Sequence, residues 1–272
     1  MSEWEAGEGE HWATNADRYT RMLAGFGDIV TTAAAYRPGE RVLDVGCGNG
    51  DLTLAAARAV GGSGSVHGVD LSPAMLAVAA SRAADDGLDN VSLETADASN
   101  FELEVAGFDV VVSRFGVMFF DDPTAAFTHI RSLMAPGGRL VFVCWQDLFT
   151  NDWMIVPGAA VADVLPLPVG DDPIAPGAFA FAEADRVTGI LTAAGFTNAS
   201  ASPVTAQLWM GDDAADATQF MRTTGIGRAV FADAPPELEA EAVARATAAL
   251  VPYESASGVL IGGAAWLVTA AA

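Results

Sequence analysis

Lysine is missing from this chain altogether. Its 13 basic residues are all arginine, set against 35 acids, for a formal net charge of −22 over 272 residues. Such a surface is repelled by nucleic-acid phosphates and by anionic membrane surfaces, and no basic stripe interrupts it. The expected partners therefore include no nucleic acid and no membrane. Cysteine is nearly absent too. Cys47 and Cys144 are too few and too far apart for a disulfide framework or a zinc site, which fits a reduced, cytoplasmic setting. Histidine occurs three times, and no cluster of acids has metal-ligand spacing, so no metal is expected. The opening MSEWEAGEGEHW has no apolar stretch and does not read as a signal peptide. Residues 255–272 carry no charge, but they are rich in Gly, Ala, Ser and Thr. They read as a buried terminal strand rather than a membrane anchor.

What the chain does have is apolar content: 51% of its residues, enough for a sizeable core. The acid excess has two readings, a compositional bias toward Ala, Gly and Arg, or adaptation to salt. Residues 10–35 repeat apolar positions at three- and four-residue steps and predict one helix. An alternation follows: strands at 41–45, 65–70, 91–95, 108–113 and 140–145, helices at 51–60, 73–86 and 122–134. Alternation of this kind predicts a doubly wound, mostly parallel sheet with right-handed crossovers, its ligands held at the carboxyl ends of the strands. Residues 151–176 hold five prolines and read as an irregular lid over the site, without a core of its own. Helices are expected at 182–194, 213–231 and 236–250, and strands at 197–209 and 259–268. The division expected is one domain over 1–272: an N-terminal helical cap (1–37), a cofactor-binding core (38–145), a lid (146–180) and a C-terminal half (181–272) with a helical insertion at 211–251.

The stretch around which this is organised is VLDVGCGNGDLT, residues 42–53. A buried strand runs into Asp44. Glycines follow at 46, 48 and 50, and a helix begins at once. Glycine permits a sharp bend and a close approach of ligand to main chain, and a helix N-terminus offers unpaired N–H groups. The loop therefore suits a polar cofactor, bound through Gly46, Cys47, Gly48 and Asn49. Nicotinamide-binding proteins also carry glycine loops. Here the spacing is G-x-G-x-G, not G-x-G-x-x-G, and Asp44 would repel a pyrophosphate but not a cationic amino-acid ligand. About twenty residues on, Asp70 ends the second strand, where a carboxylate can accept two ribose hydroxyls. Leu71 and Met75 follow it as candidate packing for an adenine.

These features resemble the first motifs of the class I S-adenosylmethionine-dependent methyltransferases. The stretch VVVSRFGVMFFDDPTAAFTHIRSLMAPGGRL, residues 110–140, resembles the ubiquinone/menaquinone-biosynthesis C-methyltransferase-like branch of that family. The match covers about residues 38–145. It implies S-adenosylmethionine as cofactor, a seven-stranded sheet with an antiparallel last strand, and an adenine contact at Ala96, Asp97 and Ala98, where an acid is followed by a small residue. It also implies cofactor contacts at Ser113, Arg114 and Met118.

A sulfonium methyl is already electrophilic, so such an enzyme mainly aligns a nucleophile with the methyl–sulfur bond. Aromatic faces near the cation help. The candidates are Trp12 and Tyr19 from the first helix, which would also bind cofactor, and Phe115 and Phe119. With Trp145, Asn151 and Trp153, the last two are the substrate-facing candidates, Trp153 at the mouth. His67 falls inside a strand and His129 on the far face of a helix. His11 is the candidate general base, and Arg114 either orients an anionic or carbonyl substrate or pairs with one of the acids. The expected function is methyl transfer to O, N or C of a small, partly apolar molecule, by a monomer or a homodimer. A nicotinamide-dependent oxidoreductase is disfavoured by the loop spacing and by the absence of any Tyr-x-x-x-Lys pair. A non-catalytic binding module of the same fold stays open.

Overall fold

The computed structural model describes residues 4, 7–103, 107–167 and 174–272. In chain order its elements are α1 (Gly7–Thr14), α2 (Ala16–Ala34), β1 (Arg41–Val45), α3 (Asp51–Val60), β2 (Ser65–Asp70), α4 (Pro73–Asp85), β3 (Val91–Thr95), β4 (Phe108–Arg114), α5 (Pro123–Ser132) and β5 (Met134–Trp145). The second half adds α6 (Asp152–Ala162), α7 (Ala184–Ala193), β6 (Thr197–Gly211), α8 (Ala214–Thr223), α9 (Gly225–Phe231), α10 (Pro236–Leu250), β7 (Glu254–Ser255) and β8 (Gly258–Ala271).

The strands form one sheet in the order β3-β2-β1-β4-β5-β8-β6, with the two-residue β7 beside β8. The pairs from β3 to β5 are parallel, and β8 runs antiparallel to both β5 and β6. The predicted seven-stranded, mostly parallel sheet with an antiparallel last strand is therefore present, with β7 as an addition. Its strand order reverses between β1 and β4, and in open sheets of this kind ligands bind beside that switch.

Two layers of helix explain why the central strands are apolar throughout. Val42, Leu43, Val110, Val112, Phe142 and Val143 are wholly or almost wholly buried. On one face Phe26 of α2 packs edge-on against Trp145; on the other, Phe127 of α5 stacks with Phe142. Since Phe142 and Trp145 are an odd number of residues apart, they point to opposite sides of β5. Helices α3 and α4 continue the α2 layer, and α7 packs beside α5. No helix among the described residues is long and apolar enough to cross a membrane.

The structure corrects four boundaries. Residues 10–35 are two helices, not one: the chain leaves helical geometry at Asn15, whose amide donates to the His11 carbonyl at 2.8 Å. Short polar side chains compete with the helix for backbone groups in this way. The 213–231 stretch likewise breaks at Thr224, whose hydroxyl caps α9 by accepting from Gly227 N–H. Strand β5 begins at Met134, so Pro136-Gly137-Gly138 lie in an irregular strand entry with a register shift opposite Phe108–Val110.

The fourth correction is the lid. Much of 151–176 is helix α6, with Pro157 inside it, and it does have a core of its own: Val161 and Leu165 pack against Ala242 and Ala246 of α10. An apolar surface to bury outweighs the single backbone hydrogen bond that a proline removes. Residues 168–173 of the expected lid lie outside the described residues.

Candidate active site

Strands β1 and β2 end side by side, and the glycine loop folds over both ends. Gly46, Gly48 and Gly50 all have positive φ, at 66°, 53° and 88°. Backbone N–H groups of Gly46 and Cys47 both donate to the Val69 carbonyl, at 2.9 and 3.0 Å. At Gly46 the chain touches another glycine: an added Cβ would lie 2.9 Å from Gly116 Cα. Ser113, fully buried, fixes that approach by donating to the Val45 carbonyl at 2.7 Å and accepting from Gly116 N–H at 3.2 Å. Asp70 sits at the tip of β2. Its Oδ2 accepts from Gly48 N–H at 2.8 Å and its Oδ1 from Ser72 N–H at 2.9 Å, which ties the loop to the start of α4. Burial raises its pKa, and the backbone donors oppose the rise. Each carboxylate oxygen keeps a lone pair for a further donor.

Beneath the loop lies a charged hub that the sequence did not announce. Asp51, the first residue of α3, pairs with Arg114 at 2.6 Å and Arg82 at 3.2 Å and accepts from the Thr20 hydroxyl at 2.7 Å. Burial alone would raise its pKa; Arg114, Thr20 and Arg82 together hold it below the ordinary value. Arg82 also donates to the Asn49 carbonyl and to Asp17. The hub thus pins α2 and α4 to the glycine loop. Asp44 is 1% exposed, with the Thr53 hydroxyl 2.6 Å away. Burial pushes its carboxyl up to about 7, against the pull of Thr53 and Arg114.

Helix α1 roofs the loop. Asn49 Nδ2 donates to the Trp12 carbonyl at 3.1 Å. Gly9 lies so close to Ser72, the N-cap of α4, that a Cβ there would collide with the serine hydroxyl. The Trp12 ring stacks flat on Tyr19, 3.6 Å between centroids and 3° between planes. Asn49 Oδ1 remains buried without a donor.

Comparison with known proteins shows what this arrangement is similar to. Residues 37–159 match the family model of a methyltransferase domain. Over that part of its length the chain is similar to S-adenosylmethionine-dependent methyltransferases. It is 39% identical over 104 residues to aklanonic acid methyltransferase DauC of Streptomyces sp. (strain C5), covering 38% of this chain and 47% of that protein. It is 38% identical over 105 residues to a demethylmenaquinone methyltransferase of Staphylococcus aureus (strain MRSA252), covering 39% and 43%. The match thus spans less than half the length of either relative. The YcgJ protein of Bacillus subtilis superposes with a TM-score of 0.59 at 17% identity, over 91% of this chain and 98% of that one, and shows the same fold. Phosphoethanolamine N-methyltransferase 2 of Haemonchus contortus, solved in complex with S-adenosyl-L-methionine, has the same fold, with a TM-score of 0.56 at 17% identity over 98% of this chain and 60% of that one.

The other residues singled out from the sequence divide sharply when placed in the methyltransferase fold. Met75 lies against Gly48, its sulfur 3.6 Å from where a Cβ would stand, and Leu71 lies between Asp70 and Ser72. Ala96 N–H donates to the Asp70 carbonyl, so the end of β3 reaches the site. Asp97 is exposed, and its Oδ1 caps its own turn by accepting from Ser99 N–H at 2.8 Å; Ala98 is buried in the core. The Cys47 sulfur packs down toward Gly68 of β2, which leaves its backbone facing the loop.

Several candidates are engaged inside the protein instead. Of the two roles open to Arg114, the structure displays the pairing: its guanidinium is committed to Asp51 and to the Leu23 carbonyl. Phe115 and Trp145, expected to face substrate, stack on each other at 3.9 Å and are buried against Phe26. Met118 is buried, and its sulfur accepts from Trp145 N–H. Asn151 is fully buried, and its side chain bonds Ala264 N–H, the Trp153 indole and two carbonyls. Trp153 rests on Trp145 at 5.2 Å. Only Phe119 is substantially open, at 36% exposure, with Trp4 edge-on to it. His11 lies against Phe220 and Tyr19, beside a cavity between α1, α8 and α9.

The residues missed were Asp51, Thr53, Thr20 and Arg82. Asp51 had one local signal, an acid in the first turn of the helix that follows the loop. The others are named only by contacts across 9 to 62 residues of sequence.

Proposed function

We propose that this chain transfers a methyl group from S-adenosylmethionine to O, N or C of a small, partly apolar molecule. The observation that carries the reading is the triple left-handed glycine loop with the Asp70 carboxylate anchored on Gly48 and Ser72, beside the switch in strand order. These residues fit the cofactor. Asp70 offers free lone pairs to ribose hydroxyls, Leu71 and Met75 flank the place for a flat ring, and Asp97 with Ala98 stands at its far edge. The buried, donorless Asn49 Oδ1 and the acidic pair Asp44 and Asp70 suit a ligand bearing an ammonium group.

When bound, S-adenosylmethionine supplies a methyl already activated by a sulfonium. The protein's share is then position and environment. The Asp51–Arg114–Arg82 hub holds the loop rigid. Trp12, backed by the buried Tyr19, has one ring face left to favour a cation, and α1 excludes water from above. The acceptors in the relatives' names, aklanonic acid and demethylmenaquinone, are small organic molecules, and we extend that class to this chain. We read residues 38–145 as the cofactor-binding core of a single domain, with α1 and the α6, α8, α9 and α10 helices as its substrate-side cap. The two buried free cysteines suit a reducing cytoplasm.

Calorimetric titration tests the reading. S-adenosylhomocysteine should bind and NAD should not, and Asp70→Ala should weaken S-adenosylhomocysteine by more than about tenfold, the loss of two charge-assisted hydrogen bonds. Binding of NAD in preference, or indifference to Asp70, would count against it.

A further inference from the structure

Helix α1 is a short lever with few contacts of its own to hold it. Of its eight residues only Gly9 is buried. It parts from α2 at Asn15, where φ is −107° and ψ 26° and the side chain gives α2 no cap. A residue between two helices can absorb a change in their direction, and a segment with little buried surface opens at low cost. Yet α1 covers important ground. Asn49 of the glycine loop donates to the Trp12 carbonyl at 3.1 Å, and Gly9 rests on Ser72. Gly48 and Ser72 are the residues whose N–H groups hold the Asp70 carboxylate. Helix α1 thus bridges the two elements that meet at Asp70.

A tie that keeps it there comes from the other end of the chain. Glu8, in the first turn of α1, pairs with Arg228 of α9. The Glu8 side chain is 14% exposed and that of Arg228 48%. The carboxylate is seated against the backbone of Gly225, where a Cβ would stand 2.8 Å from Glu8 Oε1. Arg228 is fixed in turn by donating to the Thr223 carbonyl. One turn along α1 from Glu8, His11 stacks on Phe220 of α8 at 5.9 Å. The charged tie therefore runs to the α8–α9 pair and not to the cofactor-binding core.

We propose that α1 is a lid hinged at Asn15 and that the Glu8–Arg228 pair is its latch. While the pair is made, α1 is held over the glycine loop and Ser72, and cofactor enters or leaves only when the pair breaks. This rests on the methyl-transfer reading above, because it needs the cofactor at Asp70. An ion pair half open to water suits a latch: it biases the lid without locking it.

The test uses the full chain. Release of tritiated S-adenosylhomocysteine is timed after a chase with excess unlabelled compound, and hydrogen–deuterium exchange is followed over residues 7–14. Bound S-adenosylhomocysteine should slow exchange in α1. Arg228→Gln removes the charge and should speed release by roughly two- to fivefold, the range of an exposed ion pair. It should also speed exchange in α1 while β1 and β4 exchange as in the wild type, which shows that the variant is folded. Raising potassium chloride from about 0.05 to 0.5 M should speed release from the wild type but not from Arg228→Gln, which has no pair left to screen. Gly9→Ala wedges α1 away from the Ser72 hydroxyl with both latch charges in place, and should speed release too. An unchanged release rate in either variant, unchanged exchange in α1 of Arg228→Gln, or the same salt response in Arg228→Gln and the wild type overturns the proposal. If S-adenosylhomocysteine binds and none of these quantities moves, the latch fails and methyl transfer stands. If S-adenosylhomocysteine does not bind, the methyl-transfer reading fails and the lid fails with it.

Discussion

Alanine at Gly46 and alanine at Gly48 should separate the structural use of the glycine loop from its use in binding. Both positions are left-handed, at φ 66° and 53°, so either alanine costs about 1–2 kcal/mol in backbone strain. Their surroundings differ. A Cβ at 46 would stand 2.9 Å from Gly116 Cα, a backbone atom held by Ser113, whereas a Cβ at 48 would meet only the flexible Met75 sulfur at 3.6 Å. Gly46→Ala must therefore also push β1 and β4 apart at their ends, which adds roughly 1–3 kcal/mol as overpacking does. We expect Gly46→Ala to lose about 2–5 kcal/mol in urea unfolding followed by tryptophan fluorescence. Gly48→Ala should lose only about 1–2 kcal/mol, yet weaken S-adenosylhomocysteine in calorimetry by more than about tenfold, because its methyl enters the space the cofactor needs. If Gly48→Ala bound normally, the loop would be only a turn. If Gly46→Ala were as stable as the wild type, the close approach to Gly116 would not constrain the fold.

Three further outcomes are expected. Asp51→Ala leaves the nearly buried Arg114, 14% exposed, without its carboxylate, and should cost about 2–4 kcal/mol, less than a wholly buried pair because some exposure remains; a loss below about 0.5 kcal/mol in urea unfolding would show that the hub is ornamental to stability. Asp44, pushed up to about 7 by burial, keeps in the folded state a proton that the unfolded chain releases near its ordinary value, so its contribution to stability is greatest at low pH and declines as pH rises through that window. Wild type should therefore lose on the order of 2–4 kcal/mol relative to Asp44→Asn between pH 4 and 8, and parallel pH profiles for the two proteins would refute this. Finally, with a net charge of −22, added potassium chloride should leave the melting temperature unchanged or raise it, since repulsion between surface acids is screened within about 10 Å at 0.1 M salt; a steady fall toward molar salt would contradict that.

Much of this was legible in the residues alone because it is local. Alternating apolar runs set the order of β1 to β5. Glycines at 46, 48 and 50 needed only the rule that a left-handed turn excludes side chains, and Ser72-Pro73 marked the start of α4, where Ser72 accepts from Met75 N–H. Asp70 was found by counting from the loop. The 151–176 segment was misread for the opposite reason. Its prolines are a local signal against helix, but α6 is stabilised by α10, which lies far along the chain, beyond α7, β6, α8 and α9, and no window of sequence contains both.

By itself, then, the sequence determined the class of sheet, the left-handed glycine loop and the acid at the tip of β2, since each depends on neighbours within a few residues. Only the tertiary structure decided what the side chains are free to do. Arg114 meets Asp51 across 63 positions, Asn151 meets Ala264 across 113, and Phe115 is buried against Trp145. Those three looked like substrate residues in one dimension because they are polar or aromatic beside a ligand-bearing strand end. Packing commits them to the scaffold. His11 Nε2 on α1 and Arg222 Nε on α8 are left without partners, since whether a polar atom is satisfied depends on everything folded around it.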